Sequence, residues 1–183
     1  GGRIFYFVDL GPRFSVALPS RRYLIARDAF SGVVLWRRRI PSWENPVRRW
    51  QGLPLQAPRR LVAVADRVYA SFPDGGPVVV LDAATGEEID RLEGSENAKE
   101  LRVAEDKLFA LIGRTEETAP VVPEEGNDSF NPRVLLEMAD RHVRAYDADT
   151  GDPAWNLSGE NLGDVVLGTL TVCDGRVFFL TKD

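Results

Sequence analysis

The sequence predicts an all-β protein built from four-stranded antiparallel blades, the architecture of a β-propeller. Two observations carry this. An eleven-residue stretch is written three times, as "ARDAFSGVVLW" from Ala26, "VLDAATGEEID" from Val80 and "AYDADTGDPAW" from Ala145. A β-branched and aromatic run opens at a turn upstream of each copy and once more near the end: "GRIFYFV" from Gly2, "DRVYASF" from Asp66, "DKLFALI" from Asp106 and "DGRVFFL" from Asp174.

The repeat reads as a β-hairpin. Its aligned columns are Asp28, Asp82 and Asp147, then Ser31, Thr85 and Thr150, then Gly32, Gly86 and Gly151. In D-x-x-[ST]-G the aspartate accepts hydrogen bonds from the backbone N–H groups of a tight turn, and the hydroxyl does so more weakly. The glycine supplies the positive φ that ends the turn. Four residues later stand Trp36 and Trp155, while the middle copy has Asp90 instead.

The aromatic runs are strand signals of their own. A further short apolar strand precedes three of them, near Leu61, near Leu101 and from Val165. The order is strand A, strand B, strand C, turn, strand D, and the turn aspartates recur after 54 and then 65 residues. Four strands repeated at such spacing are the signature of a propeller blade. Two blades are complete, roughly Leu61 to Leu92 and Ala98 to Leu157, with partial blades on either side, and the boundaries fall near 38–61, 92–98 and 157–165. The one helical pattern is "PRVLLEMADR" from Pro132, where Val134, Leu135 and Met138 share a face.

Composition narrows the function classes. The 183 residues carry a net charge of −5, with 44% hydrophobic and 28% charged residues, as in ordinary globular proteins. Nucleic-acid binding is not expected of so acidic a chain. The single cysteine, Cys173, excludes an intrachain disulfide. It sits in an alternating stretch and is read as a buried structural thiol. No apolar run approaches the roughly 18–20 residues of a membrane helix. The opening "GGRIFYFVDL" alternates like a strand and is no signal peptide, so any export address lies outside this chain. His142 is the only histidine and by itself makes neither a triad nor a zinc site.

Two segments stand apart. From Arg37 to Arg60, seven arginines face one acid, Glu44, and Trp43 and Trp50 are interleaved. Arg48, Arg49, Trp43 and Trp50 suit either an anionic partner or a proline-rich blade connection whose arginines stack on tryptophan. An insertion over 113–141 gathers Glu116, Glu117, Glu124, Glu125 and Asp128. A loop this long is functional or mobile, and Glu124 and Glu125 are its candidate interaction residues; its spacing fits no EF-hand.

The pattern A-x-D-x-x-[ST]-G-x-x-x-W, with the preceding "DGRV" strand, resembles the tryptophan-docking motif of PQQ-like β-propellers. That family includes quinoprotein alcohol dehydrogenases and the propeller lipoprotein of the outer-membrane β-barrel assembly machinery. The resemblance implies that Trp36 and Trp155 pack between adjacent blades, with Ile89 or Leu92 substituting beside Asp90. It also implies a periplasmic or cell-envelope location. For the dehydrogenases it implies PQQ with calcium, an aspartate base and vicinal cysteines, none of which can be matched here, so no cofactor and no metal is expected in this chain. The expected role is a non-catalytic interaction scaffold whose partner is another protein or the remaining propeller blades, with self-association through open blade edges. The rivals are a fragment of a PQQ-dependent oxidoreductase and a propeller appended to an unrelated enzyme.

Overall fold

Each D-x-x-[ST]-G turn folds two strands back on one another, and each blade grows outward from such hairpins. The computed structural model describes residues 2–11, 21–40, 57–72, 75–117, 136–162 and 164–182. The first sheet pairs β1 (Arg3–Asp9), β2 (Arg22–Asp28) and β3 (Val34–Ile40). A 3-10 turn, Ala57–Arg60, leads into a four-stranded sheet of β4 (Leu61–Val64), β5 (Arg67–Ala70), β6 (Val78–Asp82) and β7 (Glu88–Leu92). The next four-stranded sheet holds β8 (Ala98–Ala104), β9 (Lys107–Glu117), β10 (Leu136–Asp147) and β11 (Pro153–Ser158). A second 3-10 turn, Gly159–Leu162, precedes two short pairs. In these, β12 (Asp164–Val165) meets β15 (Thr181–Lys182), and β13 (Thr171–Cys173) meets β14 (Arg176–Phe178). Every pairing is antiparallel. Two full blades therefore stand between a three-stranded blade and a partial one, in the A-to-D order the sequence implies.

Two of the turns between strands A and B place an Asp in the left-handed region. Glu105 and Asp106, with φ of 49° and 58°, close the β8–β9 hairpin, and Asp174 and Gly175, at 49° and 66°, close β13–β14. Two consecutive left-handed residues match the right-handed twist of the flanking strands, and Asp tolerates that conformation better than most side chains.

The cores lie between blades. Along β5, Val68 and Ala70 join Leu24 and Ile40 of the first blade, while Tyr69 faces the third with Leu101 and Leu108. Along β9, Leu108, Ala110 and Ile112 face the second blade, and Phe109 and Leu111 face Leu162, Val165 and Leu170. Alternate side chains thus point into different cores, which is why these strands read as continuous apolar runs rather than alternating ones.

Two expectations need correction. The segment read as helical is a strand from Leu136 onward: Met138 pairs with Thr115 and Leu136 with Glu117 in the β9–β10 ladder, and no α-helix forms among the described residues. The same ladder carries regular structure to Glu117 and resumes it at Leu136, so both ends of the expected insertion belong to the sheet. Cys173 is exposed rather than buried. Its neighbour Val172 takes the inward position beside Val177, and the alternation of the strand turns the thiol outward.

Candidate functional site

The three repeat turns are built alike. Asp28 Oδ1 accepts from the N–H groups of Phe30 (3.1 Å) and Ser31 (2.7 Å) and from the Ser31 hydroxyl (2.8 Å). Asp82 Oδ1 accepts from Ala84 (2.8 Å) and Thr85 (2.7 Å), and Asp147 Oδ1 from Asp149 (3.0 Å) and Thr150 (3.1 Å). These donors favour the ionised form. The backbone N–H of Ser31, of Thr85 and of Thr150 is the largest influence holding the respective carboxyl below the usual range. Gly32, Gly86 and Gly151 have φ of 72°, 76° and 80° and return their N–H to the Asp carbonyl. The residue after each Asp donates its N–H to the carbonyl at the preceding turn: Ala29 to Gly2, Ala83 to Asp66, Ala148 to Asp106.

What differs is what covers each turn. Trp36, on strand D of the first blade, lies over the turn of the second. Its indole N–H donates to the Ala83 carbonyl at 3.2 Å, and a Cβ on Gly86 would meet the ring at 2.6 Å. Glycine is required here by close approach as well as by φ. Phe5 supports the indole at a centroid distance of 5.8 Å, and Arg38 reaches Glu88 across the same seam at 2.5 Å.

The turn of the third blade is covered without a tryptophan. Asp90 and Leu92 crowd Gly151, each 3.0 Å from where a Cβ would stand. The hydrogen bond that the missing indole would make comes from Tyr69, whose hydroxyl donates to the Ala148 carbonyl. Tyr69 occupies in β5 the column that Phe5 holds in β1 and Phe109 in β9. The sequence offered Ile89 or Leu92 beside Asp90 and not this exchange. The signal lay in the one tyrosine of the column, in the one copy without Trp. Of the suggested substitutes, Leu92 is buried and packs into the core, while Ile89 is exposed.

The outer turn and the last tryptophan lack such cover. Among the described residues nothing lies within 4 Å of a Cβ on Gly32. Ala29 is exposed, whereas Ala83 and Ala148 are buried. Trp155 packs on Phe109 of its own blade at 5.8 Å and is 40% exposed, so the inter-blade burial expected of it is not found. It borders an open groove between Glu93–Gly94 and Pro153–Asn156, with Arg144 across it. Apolar side chains near these positions are also exposed: Ile4, Phe30 and Val33 in the first blade, Phe178 and Leu180 in the last.

A buried ionic junction ties the inner edges. Glu100 accepts at Oε1 from Arg59 (2.7 Å) and Arg102 (2.8 Å) and at Oε2 from the Gly168 N–H (2.8 Å). One carboxylate thus links the chain leading into the second blade, the third blade and the partial fourth. Trp43, Arg48, Arg49, Trp50, Glu124 and Glu125 lie outside the described residues. His142 directs Nδ1 toward the Asp140 carbonyl at 3.1 Å. Among the described residues no three His, Cys, Asp or Glu side chains converge. Among the same residues no helix is long and apolar enough to cross a membrane.

Comparison with known proteins agrees with this geometry. The family model for outer membrane protein assembly factor BamB matches residues 20–183. No curated protein matches the chain in sequence. A computationally designed protein, Ika8, superposes with a TM-score of 0.50 at 18% identity, over 87% of this chain and 38% of its own. A europium-containing methanol dehydrogenase gives 0.46 at 16% identity, over 86% and 23%. The quinohemoprotein alcohol dehydrogenase from Comamonas testosteroni gives 0.45 at 17%, also over 86% and 23%. The chain therefore spans less than two fifths of the length of each of these structures.

Proposed function

The chain belongs to the family of outer membrane protein assembly factor BamB, and from that premise we propose that it is a non-catalytic docking scaffold of the cell envelope. In this reading it serves the assembly of outer-membrane proteins by presenting blade surfaces to a protein partner, and it uses no cofactor. The observation that supports the reading is the seam in which Trp36 of one blade docks on the Gly86 turn of the next. Among the described residues Trp155 is 40% exposed and packs on Phe109 of its own blade, and no atom lies within 4 Å of a Cβ on Gly32. Trp36 on the Gly86 turn supplies the internal template for how the two would fit. The natural occupant of each is a blade of the same kind. In this reading a second copy of the chain supplies such a blade.

Light scattering across a dilution series tests this. The chain is expected to associate, and Trp155→Ala to shift it toward a species of about 20 kDa, the mass of one chain. A monomer at all concentrations, or association indifferent to Trp155, would contradict the reading.

A further inference from the structure

Three charged side chains are buried among the described residues: Arg22, Arg60 and Glu100. Two are answered. Arg22 faces Asp9 at 3.4 Å, and Glu100 is held by Arg59 and Arg102. Arg60 is only 9% exposed, and its Nε has no hydrogen-bond partner. A buried guanidinium N–H without a partner costs free energy that an anion's oxygen would relieve.

Its surroundings add a second cation. Ser71 donates its N–H to the Arg60 carbonyl at 2.9 Å and its hydroxyl to the Ala98 carbonyl at 2.6 Å. That bridge brings the backbone at Arg60 close to that at Lys99, the next residue, where the 3-10 turn and β4 lie against β8. Burial, and then the charge of Arg60, draw the Lys99 ammonium down to about 8. Glu100, the one buried acid among the described residues, pairs with Arg59 and Arg102 and with neither of these two cations.

We propose that Arg60 and Lys99 form a binding site for a small oxyanion, a carboxylate or a phosphate, at the seam between the inner edges of the second and third blades. The guanidinium offers its fork to two oxygens, and the ammonium adds a point charge from the adjoining strand. The depth of Arg60 limits the occupant to a small free anion or the tip of an acidic group. This site stands apart from the docking ends and does not depend on the scaffold reading.

The test titrates the purified chain with sodium phosphate and, separately, with sodium acetate, sodium chloride holding the ionic strength fixed. The Arg60 Nε–H resonance is followed by ¹⁵N-edited NMR and the thermal midpoint is recorded. A saturable shift with a matching rise in midpoint is expected for at least one anion. Response to acetate alone assigns a carboxylate, and to phosphate alone a phosphate. Arg60→Gln should abolish the rise in midpoint, and Lys99→Gln should weaken affinity about tenfold, or about 1.4 kcal/mol. A response that fails to saturate in both arms, or a rise in midpoint that survives in Arg60→Gln, overturns the proposal. Should Arg60→Gln fail to fold, unchanged affinity in Lys99→Gln overturns it equally.

Discussion

Tyr69 gives its hydroxyl hydrogen to the Ala148 carbonyl, the same repeat position at which Ala83 accepts from the Trp36 indole. Two different donors, from two different strands, thus close equivalent seams. Tyr69 is buried, and that burial is the main cause raising its phenol above the usual range. Tyr69→Phe keeps the packing and leaves a buried carbonyl unanswered. It should destabilise the chain by about 1–3 kcal/mol, read from the urea midpoint. A loss no larger than that of Tyr23→Phe, a residue only partly buried, would refute the role.

Gly86 and Gly32 separate backbone strain from docking. Both have positive φ, but only Gly86 has the Trp36 ring where a Cβ would go. Gly32→Ala should cost about 1–2 kcal/mol, the left-handed penalty alone. Gly86→Ala should cost a further 1–3 kcal/mol or so, because the indole must move. Equal losses in equilibrium unfolding would show that the indole moves freely.

The turn aspartates predict an acid limb to stability. Their folded carboxyls lie below the ordinary value because Ser31, Thr85 and Thr150 donate to the ionised form. In the unfolded chain they return to about 3.9. The contribution is therefore complete above that value and is lost as pH falls through the folded values. Asp82→Asn retains an acceptor for the turn and removes the titration. Its urea midpoint should fall less steeply than that of the parent between about pH 5 and pH 2, and parallel curves would reject the linkage.

For cofactor chemistry, the expected outcome is neither tight PQQ binding nor alcohol oxidation by this chain. Absorbance titration with PQQ and calcium, followed by a dye-linked assay, checks it. Stoichiometric binding with turnover would favour the oxidoreductase reading.

The hairpins were legible because their determinants are local: an aspartate, a hydroxyl and a glycine within five residues fix each turn. The aromatic strands were legible for the same reason. The stretch around Met138 was not. Val134, Leu135 and Met138 fit a helical face, and only pairing with Thr115 and its neighbours makes a strand of the residues from Leu136 onward. Cys173 was misjudged because alternation says which residues share a face, not which face is inward. Glu100 drew no attention, since Arg59 and Gly168 meet it only after three blades have folded. The socket at Gly32 was invisible too, because the sequence repeats a turn identically whether or not anything covers it.

Because each hydrophobic cluster is shared by two neighbouring blades, the protein behaves as a short one-dimensional array. Its free energy resides in the seams, and no blade owns a core of its own. Among the described residues the second and third blades each share a cluster with two neighbours, and the first and last with one. Amide exchange should therefore be slowest in β5, β6 and β9 and fastest in β1 and β14, with unfolding advancing inward from the termini. Every blade added at either end would slow exchange in the blade that had been terminal, through a surface that blade already possesses.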